Sequence, residues 1–134
     1  MVDLRSSEVA PEYRQKLRAV EELLEHPPEP DRVRDRLGSN ATALGSVATA
    51  VYCFLAHPRS FEDALIFSVN LGGDTDSVAA MTGAIAGALH GARAIPPRWR
   101  SALEEGETGA GYVEGLADRL LERHLAMRAP RRKE

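Results

Sequence analysis

Leu71-Gly72-Gly73-Asp74-Thr75-Asp76-Ser77 runs straight into Val78-Ala79-Ala80-Met81-Thr82-Gly83-Ala84-Ile85-Ala86-Gly87-Ala88-Leu89. Two glycines, two carboxylates and a hydroxyl crowd the mouth of a helix built from small apolar residues. Asp74 and Asp76 are two positions apart and would diverge on a regular helix, so their convergence requires the bend that Gly72-Gly73 permits. At a helix N-terminus the partial positive charge and free N–H groups keep carboxylates ionised. The pair reads in two ways, as helix caps or as ligands for a hard cation. Oxygen donors without cysteine or clustered histidine match magnesium, manganese or calcium and not zinc.

Further along that helix, Gly83 and Gly87 lie four apart on one face among Ala80, Ala84 and Ala88, which lets a second helix approach closely. These are packing positions that hold the aspartate-bearing end in place.

Working outward, the other segments are also helical. From Pro11 to His26, Tyr13, Leu17, Val20 and Leu24 recur at helical spacing until Pro27-Pro28. A short helix opens at Pro30-Asp31, carries Val33 and Leu37 and ends at Gly38, leaving Gly38 to Thr42 as a loop. Ser46 is the expected cap of an apolar helix through Ala56, and Ser60 with Asp63 forms a capping-box-like start for the next, ended by Gly72-Gly73. The glycine-rich helix should run from about Thr75 to His90 with Gly91 behind it. Pro96-Pro97 opens another through Trp99 and Leu103, and Tyr112 to Met127 sets Val113, Leu116, Leu120 and Leu121 on one side before a basic tail over 128–134. No segment has a strand or hairpin pattern, so the expected class is all-α, in a single domain over 1–134.

The 134 residues, 43% hydrophobic, can bury a core, and 17 basic against 20 acidic side chains leave a net charge of −3. That balance argues against nucleic acid or a membrane surface as partner. The longest apolar run, about a dozen residues, is shorter than the ~20 that span a bilayer, and the N-terminus has no signal-peptide core. Cys53, the single cysteine, lies in an apolar run and reads as a core thiol in a reducing, cytoplasmic setting. His26, His57, His90 and His124 are expected near helix ends without a paired nucleophile, and Trp99 as a packed anchor.

Three blocks in order resemble the ADP-ribosylglycohydrolase family: Gly72-Gly73-Asp74-Thr75-Asp76-Ser77 with its small-residue helix, Leu37-Gly38-Ser39-Asn40 leading to Ser46 through Leu55, and Ile95-Pro96-Pro97-Arg98-Trp99. The resemblance implies a compact, orthogonally packed all-α enzyme. It would use two magnesium ions, manganese being possible, to cleave the bond between ADP-ribose and a protein side chain or small-molecule acceptor. By that resemblance Asp74, Asp76 and Ser77 are metal ligands, with Asp76 contacting both ions, and Gly38, Ser39, Asn40 and Ala41 border the adenosine end of the substrate. Ser77 replaces a threonine and keeps the hydroxyl. The family's remaining ligands, a glutamate and a Thr-Asp-Asp cluster, have no counterpart before Asp74. The chain therefore reads as the C-terminal portion of a longer enzyme, truncated, split or degenerate, completed by a separate N-terminal half that brings the proton-transfer carboxylate. No catalytic residue is assigned in this chain. A non-catalytic module that binds ADP-ribose or metal, or serves a structural role on the same scaffold, is the alternative.

Overall fold

Proline and capping residues mark the helix starts in the computed structural model, which describes residues 10–40 and 42–128. Pro11 opens α1 (Pro11–Leu24) and Pro30 opens α2 (Pro30–Leu37), both at the position where a missing N–H costs nothing. Next come α3 (Ala43–Ala56), α4 (Phe61–Asn70), α5 (Thr75–His90), a 3-10 turn over Ala92–Ala94, α6 (Pro97–Arg100) and α7 (Ala110–Arg128). Among the described residues there is no strand, as the helical periodicity requires. The chain divides into two compact units, Met1–Ile95 and Pro96–Glu134.

In the first unit α3 is the hub, packed against α1, α2, α4 and α5. Val20, Leu23, Val33, Leu37, Ala48, Tyr52, Cys53, Leu71 and Val78 belong to one buried cluster. On α1 the inward residue is Leu23, while Leu24 is exposed, a shift of one position from the periodicity reading. Ser60 caps α4 as expected, its hydroxyl accepting from the Asp63 N–H at 3.0 Å. Ser46 does not cap α3. The helix begins four residues earlier, behind Thr42, and the buried Ser46 hydroxyl donates to the Thr42 carbonyl at 3.0 Å. Helix α6 stops at Arg100, short of Leu103, and His124 lies inside α7, away from its end.

The glycine face of α5 meets α4 in an antiparallel pair. A Cβ on Gly83 would sit 3.6 Å from a Leu65 methyl, and one on Gly87 would sit 3.8 Å from the Phe61 ring. These are ordinary contact distances, so a methyl fits and anything larger does not. Gly83→Ala is expected to be neutral or stabilising by up to ~1 kcal/mol through helix propensity. Gly83→Leu should destabilise by ~1–3 kcal/mol through overpacking. Urea denaturation of both variants checks this, and equal midpoints for wild type and Gly83→Leu would defeat the packing assignment.

Thr82 faces the hub, its hydroxyl reaching Ala50 O of α3 at 3.5 Å while donating to Val78 O of its own helix at 2.8 Å. Beside it Cys53 is fully buried, and burial pushes its thiol up to about 12. Almost no thiolate then exists near neutral pH, and the thiolate is the reactive form. Alkylation of native protein at about pH 8 should therefore be negligible and become complete only in denaturant, as read by intact mass; rapid labelling of the folded protein would contradict the core placement.

In the second unit, the Arg98 guanidinium lies 5.4 Å from the centre of the half-buried Trp99 ring, and Arg100 pairs with Glu114 at 2.5 Å. Among the described residues of the chain, no helix is long and apolar enough to cross a membrane.

Candidate metal centre

Two cations on the helical scaffold set the backbone that leads into the site. Lys16 of α1 donates to the carbonyls of Arg36 and Leu37 at 3.0 and 2.7 Å, sealing the end of α2 just before Gly38. Arg34 of α2 donates to Leu71 O at 2.5 Å, sealing the end of α4 just before Gly72, and its other nitrogen pairs with Asp31. Positive groups at helix C-termini offset the free carbonyls and the dipole there. The sequence reading did not single out either residue, because a lysine or arginine on an amphipathic helix carries no local sign of the distant carbonyl it will reach.

Beyond these seals lie two sharp turns. Gly38 leaves α2 at φ +86°, and Gly72 and Gly73 leave α4 at φ +80° and +81°. Such values favour glycine, since a Cβ would meet the backbone. Asp74 then takes φ −78°, ψ 63°, and the Thr75 N–H donates to Gly73 O at 2.9 Å, which makes Asp74 the centre of an inverse γ-turn. The main chain is thereby redirected into α5, which Thr75 opens.

The two aspartates are bonded differently at the start of α5. Asp74 occupies the N-cap position yet makes no side-chain capping bond. The Ser77 N–H, which a capping side chain would take, donates instead to Asp76 Oδ1 at 3.0 Å. Asp74 turns toward Asp76: the neighbouring Asp74 carboxyl, followed by the Ser77 and Asp76 N–H groups, holds the Asp76 carboxyl below the usual carboxylate range. Asp76 and Ser77 are exposed and Asp74 is half-buried. The bend thus brings two carboxylates together at the open end of α5, with the Ser77 hydroxyl on the next residue. Among the described residues, no group of three or more histidine, cysteine, aspartate or glutamate side chains is placed to hold an ion.

The segment predicted to border the substrate lies against this turn. Ser39 O accepts from the Asp74 N–H at 2.7 Å. The approach is so close that a Cβ on Gly73 would run into the Ser39 carbonyl and hydroxyl and lie 2.9 Å from the Ser39 Cβ. Gly38 is held from below, its carbonyl accepting from the Thr49 hydroxyl at 2.5 Å. Asn40 shapes the loop, its Oδ1 accepting from the Thr42 N–H at 3.2 Å and the Thr42 hydroxyl at 2.6 Å. Gly45 makes room for that side chain, since a Cβ there would fall 2.9 Å from Asn40 Oδ1. Ala41 lies outside the described residues. Of the other acidic residues, Asp31, Asp35 and Asp63 are exposed on their helices and Glu62 is half-buried.

Comparison with known proteins gives this arrangement a lineage. The model of a family described as ADP-ribosylglycohydrolase matches residues 2–130. The chain belongs to the ADP-ribosylglycohydrolase family. It is 41% identical over 103 residues to the ADP-ribosylhydrolase ARH3 of Mus musculus, covering 69% of this chain and 28% of the mouse protein. It is 39% identical over 113 residues to the ADP-ribosylhydrolase ARH3 of Homo sapiens, covering 76% of this chain and 30% of the human one. It is 36% identical over 86 residues to the ADP-ribosylarginine hydrolase Tri1 of Serratia proteamaculans, covering 64% of this chain and 23% of that protein. The chain thus spans less than a third of the length of these relatives.

Proposed function

We propose that this chain supplies the magnesium-binding segment of an enzyme that hydrolyses the glycosidic bond between ADP-ribose and an acceptor. Asp74, Asp76 and Ser77 hold the metal, a pair of magnesium ions or manganese in their place, and Gly38, Ser39, Asn40 and Ala41 border the adenosine end of the substrate. The observation that carries the reading is the meeting of Asp74 and Asp76 at the start of α5, Asp74 making no capping bond, with the Ser39 loop bonded to the same turn. The names of the relatives support the reaction class, and that of the Serratia protein points to arginine as one acceptor. The substrate is an ADP-ribosylated protein or a small-molecule ADP-ribose derivative.

The donor set fits the ion. Magnesium takes about six oxygens in a near-octahedral shell and commonly keeps several waters, so two carboxylates and one hydroxyl leave room for water and substrate. When bound, the ions supply positive charge that orients ribose hydroxyls and a water at the anomeric carbon. The residues of this chain contribute placement. The γ-turn fixes Asp74, the Ser77 N–H orients Asp76 and favours its ionised form, and the backbone contact with Ser39 sets the distance between the metal segment and the nucleotide loop. Proton transfer falls to a carboxylate contributed from the remainder of the fold, in a separate N-terminal half or elsewhere in the polypeptide. The single, buried Cys53 suits a reducing cytoplasmic compartment.

Calorimetry with magnesium and ADP-ribose tests the reading. The 134-residue chain is expected to bind magnesium weakly, to lose that binding in Asp74→Asn and Asp76→Asn, and to release negligible ADP-ribose from a modified substrate. Tight magnesium binding indifferent to both substitutions would place the site elsewhere. The non-catalytic alternative predicts the same binding but no ADP-ribose release once the remaining ligands are supplied.

A further inference from the structure

Helix α3 contains no charged residue over its 14 positions. A helix that is apolar all round belongs inside a protein. Its arc bearing Ala48, Thr49, Tyr52 and Cys53 is buried against α1, α2, α4 and α5. The opposite arc, about 100° wide at 100° per residue, carries Leu44, Val47, Val51, Phe54 and Leu55. Val47 is 37% and Leu55 41% exposed, and the other three are half-buried. Nothing polar interrupts this stripe, so it is not built as a solvated helix face.

We propose that this face of α3 is an internal interface of the family fold, covered by an apolar helical surface from the portion of that fold that this chain does not span. The family membership and the shared length carry the choice of occupant, since the matched stretch amounts to 28% of the mouse relative and 30% of the human one. A second copy of this chain fits less well. Five side chains are far fewer than the ~20–30 residues per side of a stable interface between separate proteins, whereas they suit one helix contact within a larger core. The stripe starts at Leu44, four residues after Asn40, so a helix laid along it has one end beside the nucleotide loop. The interface is independent of the metal assignment.

The test compares two contexts. One is the 134-residue chain; the other is a hybrid in which it replaces the matched span of the mouse ADP-ribosylhydrolase. Val47→Glu and Leu55→Lys place charges that suit the nearer helix end, and Val47→Ile keeps the face apolar. In the isolated chain all three are expected to leave the melting temperature within about 3 °C of wild type, as exposed substitutions do. In the hybrid, Val47→Glu and Leu55→Lys are expected to lower it by about 10 °C, the result of burying an unpaired charge, and Val47→Ile to leave it unchanged. Equal effects in the two contexts, a hybrid with no cooperative melt, or a dimer of the isolated chain that Val47→Glu dissociates would each overturn the proposal. Hydrolysis is scored separately: a hybrid with the expected melting pattern and no ADP-ribose release would remove the functional reading and leave the interface standing.

Discussion

Asp76→Ala is expected to lower magnesium affinity roughly 100-fold or more, beyond the ~10–100-fold typical of losing a group that only supports a ligand. Asp76 is exposed, oriented by the Ser77 N–H and flanked by the Asp74 carboxyl, so its removal takes away a full negative charge at the point where the two aspartates meet. Ser77→Ala should cost far less, because water can replace a neutral hydroxyl as an oxygen donor. The same ranking should hold for ADP-ribose release in the hybrid enzyme. The pH dependence has a definite sign: only the carboxylate binds the cation, and Asp76 titrates below the usual range. Binding should therefore weaken as pH falls and the ligating carboxylates take up protons. Titration calorimetry across pH checks both points. An Asp76→Ala protein that binds magnesium as wild type does would remove Asp76 from the ligand set.

The second large effect is expected at Gly73. Alanine there must adopt φ +81° and drive its methyl into the Ser39 carbonyl. The left-handed conformation costs ~1–2 kcal/mol, and the collision forces apart two backbone segments, for a total of about 3 kcal/mol or more. Gly72 provides an internal control. Its φ is +80°, but a Cβ there meets only the Arg34 side chain at 3.5 Å, so Gly72→Ala should cost the conformational part alone. Denaturant midpoints separate the two. If Gly73→Ala is no worse than Gly72→Ala, the close approach of the loops is not what stabilises this end of the molecule.

The punctuation of the helices was readable from the chain because proline, serine and glycine act locally. Pro11, Pro30 and Ser60 open helices and Gly38 and Gly91 close them where their stereochemistry requires. The start of α3 was not readable, because Thr42, its N-cap residue, uses its hydroxyl to bond Asn40 instead of the helix, and the residues that follow carry no charge to mark a boundary. The order of the two site segments was legible, but their contact was not. Ser39 and Asp74 are 35 positions apart, and their bond joins main-chain atoms, which leave no trace in the choice of side chain. The γ-turn at Asp74 was equally hidden: the glycines announce that the chain bends, without saying in which direction it points the carboxylate.

That main-chain bond also shapes how such a site can change over generations. Because Ser39 O and the Asp74 N–H belong to the backbone, replacing the side chain at position 39 leaves both donor and acceptor in place; at position 74 only proline removes the donor. Under the proposed function, the side chain at position 39 can therefore vary, and with it the molecules accepted, while the main-chain spacing to the aspartate turn is kept. On that reading chemistry and selectivity are mechanically joined but mutationally separable.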